Sequence, residues 1–151
     1  MKVFRITKAR HTRTAFSGEG ARLAGGRWTY PGEAAVYCSS TLALAALETF
    51  VHVGEEGRTL AFASFEVNIP ASVRVDRVAK PPRGWREEPP GPASMRVGSN
   101  WIRQGRSVAL ALPSVLVPQE FNVILNPAHS DFSRLEISRR SRFAFDPRMW
   151  N

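Results

Sequence analysis

An α+β fold, one compact domain of mixed β-sheets with a few helices, is the class the sequence predicts, on three observations. Runs rich in β-branched and aromatic residues outnumber helix-like runs, they follow no regular β-α-β succession, and 151 residues suit one domain and not two. The domain is expected to span residues 1–151. A chain of this size buries about two-thirds of the surface its unfolded form exposes, so it needs no covalent staples. Cys38 is the single cysteine. It excludes an internal disulfide framework and a cysteine-rich zinc site, and fits a reducing, cytoplasmic setting.

The elements follow in order. Val3-Phe4-Arg5-Ile6-Thr7 reads as an opening strand. Residues 12–32, with Gly18, Gly20, Gly25, Gly26 and Gly32, read as a long ordered loop. Ala34 to Cys38 is a buried strand, and Ser39 and Ser40 are N-cap candidates for a helix over 41–53 that ends near Gly54. Strands are expected over 60–69 and 73–75, on either side of Pro70. Residues 80–93, with five prolines between Pro81 and Pro92, form a loop. A short helix around Trp101 (95–104) precedes strands at 107–112, 115–117 and 121–125, and the tail adds one strand at 135–137 within an arginine-rich segment.

The surplus of basic over acidic residues, 21 against 13, gives a net charge of +8 and points to an anionic partner. Composition alone leaves open nucleic acid, a phosphorylated small molecule or an acidic protein. Only Lys2, Lys8 and Lys80 are lysines; the arginine-dominated set suits bidentate contacts to phosphate or carboxylate. The first twenty residues hold no apolar run of signal-peptide length, and no stretch approaches the roughly 20 apolar residues of a membrane helix. Neither export nor membrane insertion is expected.

Glu48 stands out chemically. It lies in TLALAALETFVHV, apolar on nearly every side and so expected to be buried, with Leu44 and His52 on the same helical face. A carboxylate there must be paired or hydrogen-bonded, or must become neutral by a shift of its pKa. Gly25 and Gly26 before Arg27-Trp28 allow a tight turn whose amides a phosphate can approach, or a plain loop anchored by Trp28. There is no P-loop, no GxSxG elbow, no HExxH, and no close ligand spacing among His11, His52 and His129, so no metal is expected.

With these residues assembled, a resemblance emerges. The stretch SGEGARLAGGRWTYPGEAAVYCSSTLALAALETFVH, followed by LPSVLVPQEFNVILNPAHSDF, resembles the RES-domain family of bacterial toxins, which pair with Xre-type helix-turn-helix antitoxins. GGRW, a tyrosine ten residues beyond its arginine and a glutamate eleven beyond that occur in order. The resemblance implies an ADP-ribosyltransferase-like fold, NAD as substrate and no permanently bound cofactor. Inorganic phosphate is then a possible co-substrate. It also implies catalytic roles for Glu48, Arg27 and Tyr37, and NAD contacts from Arg5, Arg27, Tyr37 and Ser114, with Ser107 as the alternative serine. Asn122, Asn126 and His129 belong to the same signature without an assigned role. On this basis Arg5 and Arg27 would clamp the pyrophosphate, Tyr37 would stack on nicotinamide or its ribose, and Ser114 would hydrogen-bond the ligand. The partner would be an Xre-type antitoxin in a hetero-oligomer, with nucleic acid reached only through it.

Three activities share these residues: phosphorolysis of NAD, its hydrolysis, and transfer of ADP-ribose to a protein. A different class of reading, an RNA-binding or RNA-cleaving basic toxin, rests on the net charge and on Arg134, Arg139, Arg140, Arg142 and Arg148. The same arginines would alternatively form an antitoxin-contacting surface.

Overall fold

The computed structural model describes residues Met1–Asn151. Strand β1 (Lys2–Lys8) buries Val3 on one face and Ile6 on the other, so both sides of the sheet it enters are covered. The remaining strands are β2 (Val36–Ser39), β3 (Phe62–Asn68), β4 (Val75–Arg77), β5 (Ala109–Pro113), β6 (Phe121–Leu125), β7 (Glu136–Ile137) and β8 (Ser141–Phe143). They form one eight-stranded sheet in the order β4-β5-β6-β2-β1-β3-β7, with β8 also on β3. All pairings are antiparallel except β4 with β5.

The sheet has a narrow waist. β1 pairs with β3 along its whole length, but with β2 only at Phe4↔Ser39. Two half-sheets therefore meet at a single residue pair. Beside it, Arg5 Nη1 donates to the Tyr37 carbonyl at 2.7 Å and ties the halves together.

Register fixes which side chains share a face. Opposed residues point the same way, so Phe4, Ser39, Asn122 and Leu112 lie on one face, as do Tyr37, Ile124 and Leu110. Val3, Val36, Cys38, Val67, Ala109, Ala111, Val123 and Leu125 pack on the other as the main core. Helix α2 (Leu42–Val53) covers the first face through Ala45 on Ile6 and Phe62. Helix α3 (Pro92–Gln104) covers it through Trp101, beside Leu110, Leu112 and Ile124.

The α+β expectation holds, with local corrections. The loop expected at 12–32 contains helix α1 (Glu19–Ala24), too short for its periodicity to register in sequence. Thr41, not Ser39 or Ser40, caps α2: its Oγ1 accepts the Leu44 N–H at 3.0 Å. Helix α2 is not buried all round. Leu44 and Ala45 are enclosed, whereas Leu42, Leu47 and Val51 face solvent, because the strands beneath offer seating for one stripe only. No strand forms at 115–117; there the Leu116 and Val117 amides turn onto Ser114 Oγ. The tail holds an unforeseen strand, β8, and its Phe145 and Trp150 pack on Phe50. No helix is long and apolar enough to cross a membrane.

Candidate functional site

Glu48 sits two turns into α2, half-buried, and its Oε1 accepts two hydrogen bonds. Ser114 Oγ donates at 2.9 Å and Asn122 Nδ2 at 2.6 Å. Both donors come from the other half-sheet, Asn122 from β6 and Ser114 from the residue after β5. Asn122 is held in turn by Ser39 Oγ, which donates to its Oδ1 at 2.7 Å across the β2–β6 register. Glu120 fixes the helix start, accepting from Thr41 Oγ1 at 2.7 Å and Ser40 Oγ at 3.3 Å. A helix anchored at its first turn presents the side chain seven residues later in a defined direction.

Ser114 does not stand where a ligand can reach it. It is fully enclosed, and its oxygen accepts the amides of Leu116 and Val117, each at 3.1 Å. Its proton is left for Glu48. The expected direct contact between Ser114 and a ligand is thus replaced by a contact with the carboxylate. The alternative, Ser107, is ruled out as a neighbour of Glu48: its hydroxyl accepts from Trp101 Nε1 and donates to the Ala109 carbonyl inside the core.

The GGRW segment forms a turn whose ends pair at Gly26↔Thr29. Gly25 has φ of +71°, which disfavours other residues, and Gly26 is required by proximity: a Cβ there would lie 2.5 Å from Tyr37 Oη. Tyr37 Oη accepts the Trp28 amide at 3.3 Å and shares a hydrogen bond with Thr29 Oγ1 at 2.9 Å. Burial pushes the Tyr37 hydroxyl above its ordinary value, opposed chiefly by the Thr29 hydrogen bond. Tyr37 therefore connects the turn to the face that carries Asn122. Trp28 is enclosed and stacks on Trp85 with ring centroids 5.7 Å apart.

Arg27 points into the proline-rich loop. Its Nη1 donates to the carbonyls of Trp85 and Glu87, both at 2.9 Å, and its Nη2 to Glu88 Oε2 at 2.7 Å. The guanidinium is mostly shielded, while the Glu88 side chain is 76% exposed. A cavity of about 420 Å³ is lined by Arg77, Trp85, Arg86, Pro113, Glu120 and Phe121 among others. Its lining adjoins Ser114 and Asn122 in sequence, through Pro113 and Phe121, and includes Trp85, whose carbonyl binds Arg27. A second hollow of about 280 Å³, at Phe145 and Trp150, contains none of the expected site residues.

Arg5 is placed differently from expectation. Strand alternation puts it on the face of Cys38 and Val123, opposite Tyr37, Ser39 and Asn122, so Arg5 and Arg27 do not converge within this face. Its Nε is enclosed without a partner, and burial draws the guanidinium below the ordinary arginine value, with Cys38 opposing. Asn126 and His129 cap local turns through the Ala128 and Asp131 amides. Asn122 and Ser39 are the functional neighbours that sequence reasoning left without roles; their register pairing was the signal, but it depends on strand partners forty or more residues apart. No cluster of His, Cys, Asp or Glu has the geometry to hold a metal ion.

Comparison with known proteins identifies the family. A family model described as the RES domain matches residues 2–146. A Sphingobium sp. (strain YBL2) protein named Prs ADP-ribosylating toxin is 41% identical over 137 residues, covering 88% of this chain and 85% of its own. A Photorhabdus laumondii subsp. laumondii protein named Toxin Res is 36% identical over 151 residues, covering 99% and 97%. Among solved structures, a chain of the M. tuberculosis MbcT-MbcA toxin-antitoxin complex aligns with a TM-score of 0.72 over 99% of this chain and 86% of its own. At 16% identity that likeness concerns the fold.

Proposed function

Since the chain belongs to the RES domain family, we propose that it is the toxin of a toxin–antitoxin pair and that it breaks the nicotinamide–ribose bond of NAD. The observation that carries this reading is the Glu48 carboxylate, held at Oε1 by Ser114 and Asn122 on the sheet face that also carries Tyr37. Similarity over most of the chain to proteins named as toxins, one of them named as ADP-ribosylating, supports it.

The chemistry follows from the groups present. Departure of nicotinamide takes the C–N bonding pair with it and leaves an oxocarbenium-like ribose carbon. A fixed carboxylate beside that carbon stabilises the developing positive charge and accepts hydrogen bonds from the ribose hydroxyls. Tyr37 shapes the floor of the site and holds the Arg27 turn. Arg27 supplies a cation to the pyrophosphate by exchanging the exposed Glu88 carboxylate for phosphate oxygens, keeping its bonds to the loop carbonyls. Arg5, on the opposite face and bound to the Tyr37 carbonyl, is assigned to holding the waist of the sheet and not to the ligand. Ser114 serves the reaction through Glu48.

Attack by inorganic phosphate at the ribose carbon yields ADP-ribose-1″-phosphate; attack by water yields ADP-ribose and a proton. Product masses from NAD in phosphate and in phosphate-free buffer separate the two. Release of nicotinamide in neither buffer rejects the reading. The name of the Sphingobium relative favours a second reading, transfer of ADP-ribose to a protein, in which clickable NAD leaves a labelled polypeptide band. In either case we assign the chain to the cytoplasm, with an Xre-type antitoxin as its partner in a hetero-oligomer.

A further inference from the structure

Both donors that hold Glu48 end on Oε1, and no protein group bonds Oε2. Oε2 is also absent from the enclosed polar atoms that lack a partner, so it opens to solvent. The carboxylate is thus divided into a held oxygen and a free one.

Each donor is held one bond further out. The Glu48 carboxylate, which only accepts, requires Nδ2 of Asn122 on its side, and the Ser39 hydroxyl, donating to Oδ1 at 2.7 Å, holds the amide at its other end. A flipped amide would set Oδ1 against the carboxylate oxygen, a penalty that the serine hydroxyl, free to donate or accept, does not share. Ser39 and Asn122 are directly opposed in the β2–β6 ladder, and Ser39 is also the residue paired with Phe4 at the waist. The orientation is therefore built into the sheet and not borrowed from a loop. A hydrogen-bonded partner that fixes the group doing the chemistry acts by removing its wrong orientations.

We infer that Asn122, held at its Oδ1 by Ser39, is a positioning residue that immobilises Glu48 through Oε1 and reserves Oε2 for the ribose hydroxyls and the cationic ribose carbon. The inference rests on the NAD reading above. Asn122 gives a hydrogen bond and exchanges no proton; the only bond broken is the ribose–nicotinamide bond, whose electron pair leaves with nicotinamide.

Two signatures follow that a merely structural asparagine would not produce. With Asn122→Ala, kcat for NAD drops roughly tenfold to hundredfold while KM stays within about twofold, because the loss lies in geometry at the transition state. In a Glu48→Gln background, Asn122→Ala leaves the calorimetric Kd for NAD unchanged, because Asn122 does not itself touch the ligand. Ser39→Ala loses less kcat than Asn122→Ala, and Ser39→Thr, which keeps a hydroxyl, recovers most of that loss. Near-ultraviolet circular dichroism monitors folding; if Asn122→Ala does not fold, the Ser39 pair carries the test. An unchanged kcat in folded Asn122→Ala, a raised KM with kcat intact, or a Ser39→Thr no better than Ser39→Ala overturns the inference. Wild-type protein that turns over NAD, with Glu48→Gln silent and Asn122→Ala unaffected, overturns the positioning role alone. Wild-type protein without turnover removes the NAD reading and this inference with it.

Discussion

Glu48 is tolerated among alanines and leucines because groups from the other half-sheet reach it, and it is useful because they satisfy only one of its oxygens. On the proposed reading Arg27 is the counterpart on the ligand's anionic side, where Glu88 occupies part of its donor fork. Glu88→Ala should therefore lower the KM for NAD with kcat unchanged, by at most about fivefold given how weak exposed ion pairs are; steady-state kinetics read this directly. Cys38 has an equally definite expectation. Burial pushes its thiol up to about 12, opposed by Arg5. The folded form then favours the neutral thiol, so its contribution is complete below the unfolded value near pH 8.5 and is lost as pH rises from there towards 12. Relative to Cys38→Ala, wild-type stability should decline across that alkaline window in urea titrations. Native Cys38 should also resist iodoacetamide at pH 8 and react once the chain is unfolded.

The 26–29 turn and helix α2 show how local rules place these groups. Gly26→Ala drives a methyl into the Tyr37 ring and should cost about 1–3 kcal/mol in chemical denaturation. Thr41→Ala removes the cap of α2 and one of its ties to Glu120, and should cost about 1 kcal/mol. Thermal or urea melts of either variant that match wild type would contradict these roles. The same elements mark what could be read in advance. Glu48 was legible because a carboxylate is conspicuous in an apolar helix, and GGRW because paired glycines have a steric meaning. The exposure of Leu47 and Val51 was not legible, since a helix apolar all round does not say which stripe faces the sheet. Asn122 and Ser39 were not legible as a pair, since only the long-range register opposes them. The placement of Arg5 on the opposite face has the same origin. Ser114 was found by motif, but its burial and its tie to Glu48 depend on the turn that replaced the strand expected at 115–117.

Two half-sheets joined at Phe4↔Ser39 give the chain its character, because the groups that hold Glu48 belong to one half while β1 and β3, on which α2 rests, belong to the other. The tail is part of this construction. β7 and β8 complete the outer edge of β3, and Phe145 packs on Phe62, so the tail arginines are mounted on a structural element and not on a dispensable extension. Several basic residues are matched by carboxylates nearby in sequence, as in Arg22–Glu19, Arg134–Asp131 and Arg148–Asp146, which dilutes the +8 surplus as a footprint for a polyanion. The sharper cation is Arg27, tied to a backbone carbonyl beside the cavity, whereas Arg5 is engaged at the waist. All of this converges on one carboxylate and one bond. The decisive measurement is nicotinamide release from NAD by the purified wild-type chain and by folded Glu48→Gln, followed by chromatography with mass detection. The account predicts release by the wild type and at least a hundredfold less, to order of magnitude, by the variant. Equal release by both, or none by the wild type, would contradict it.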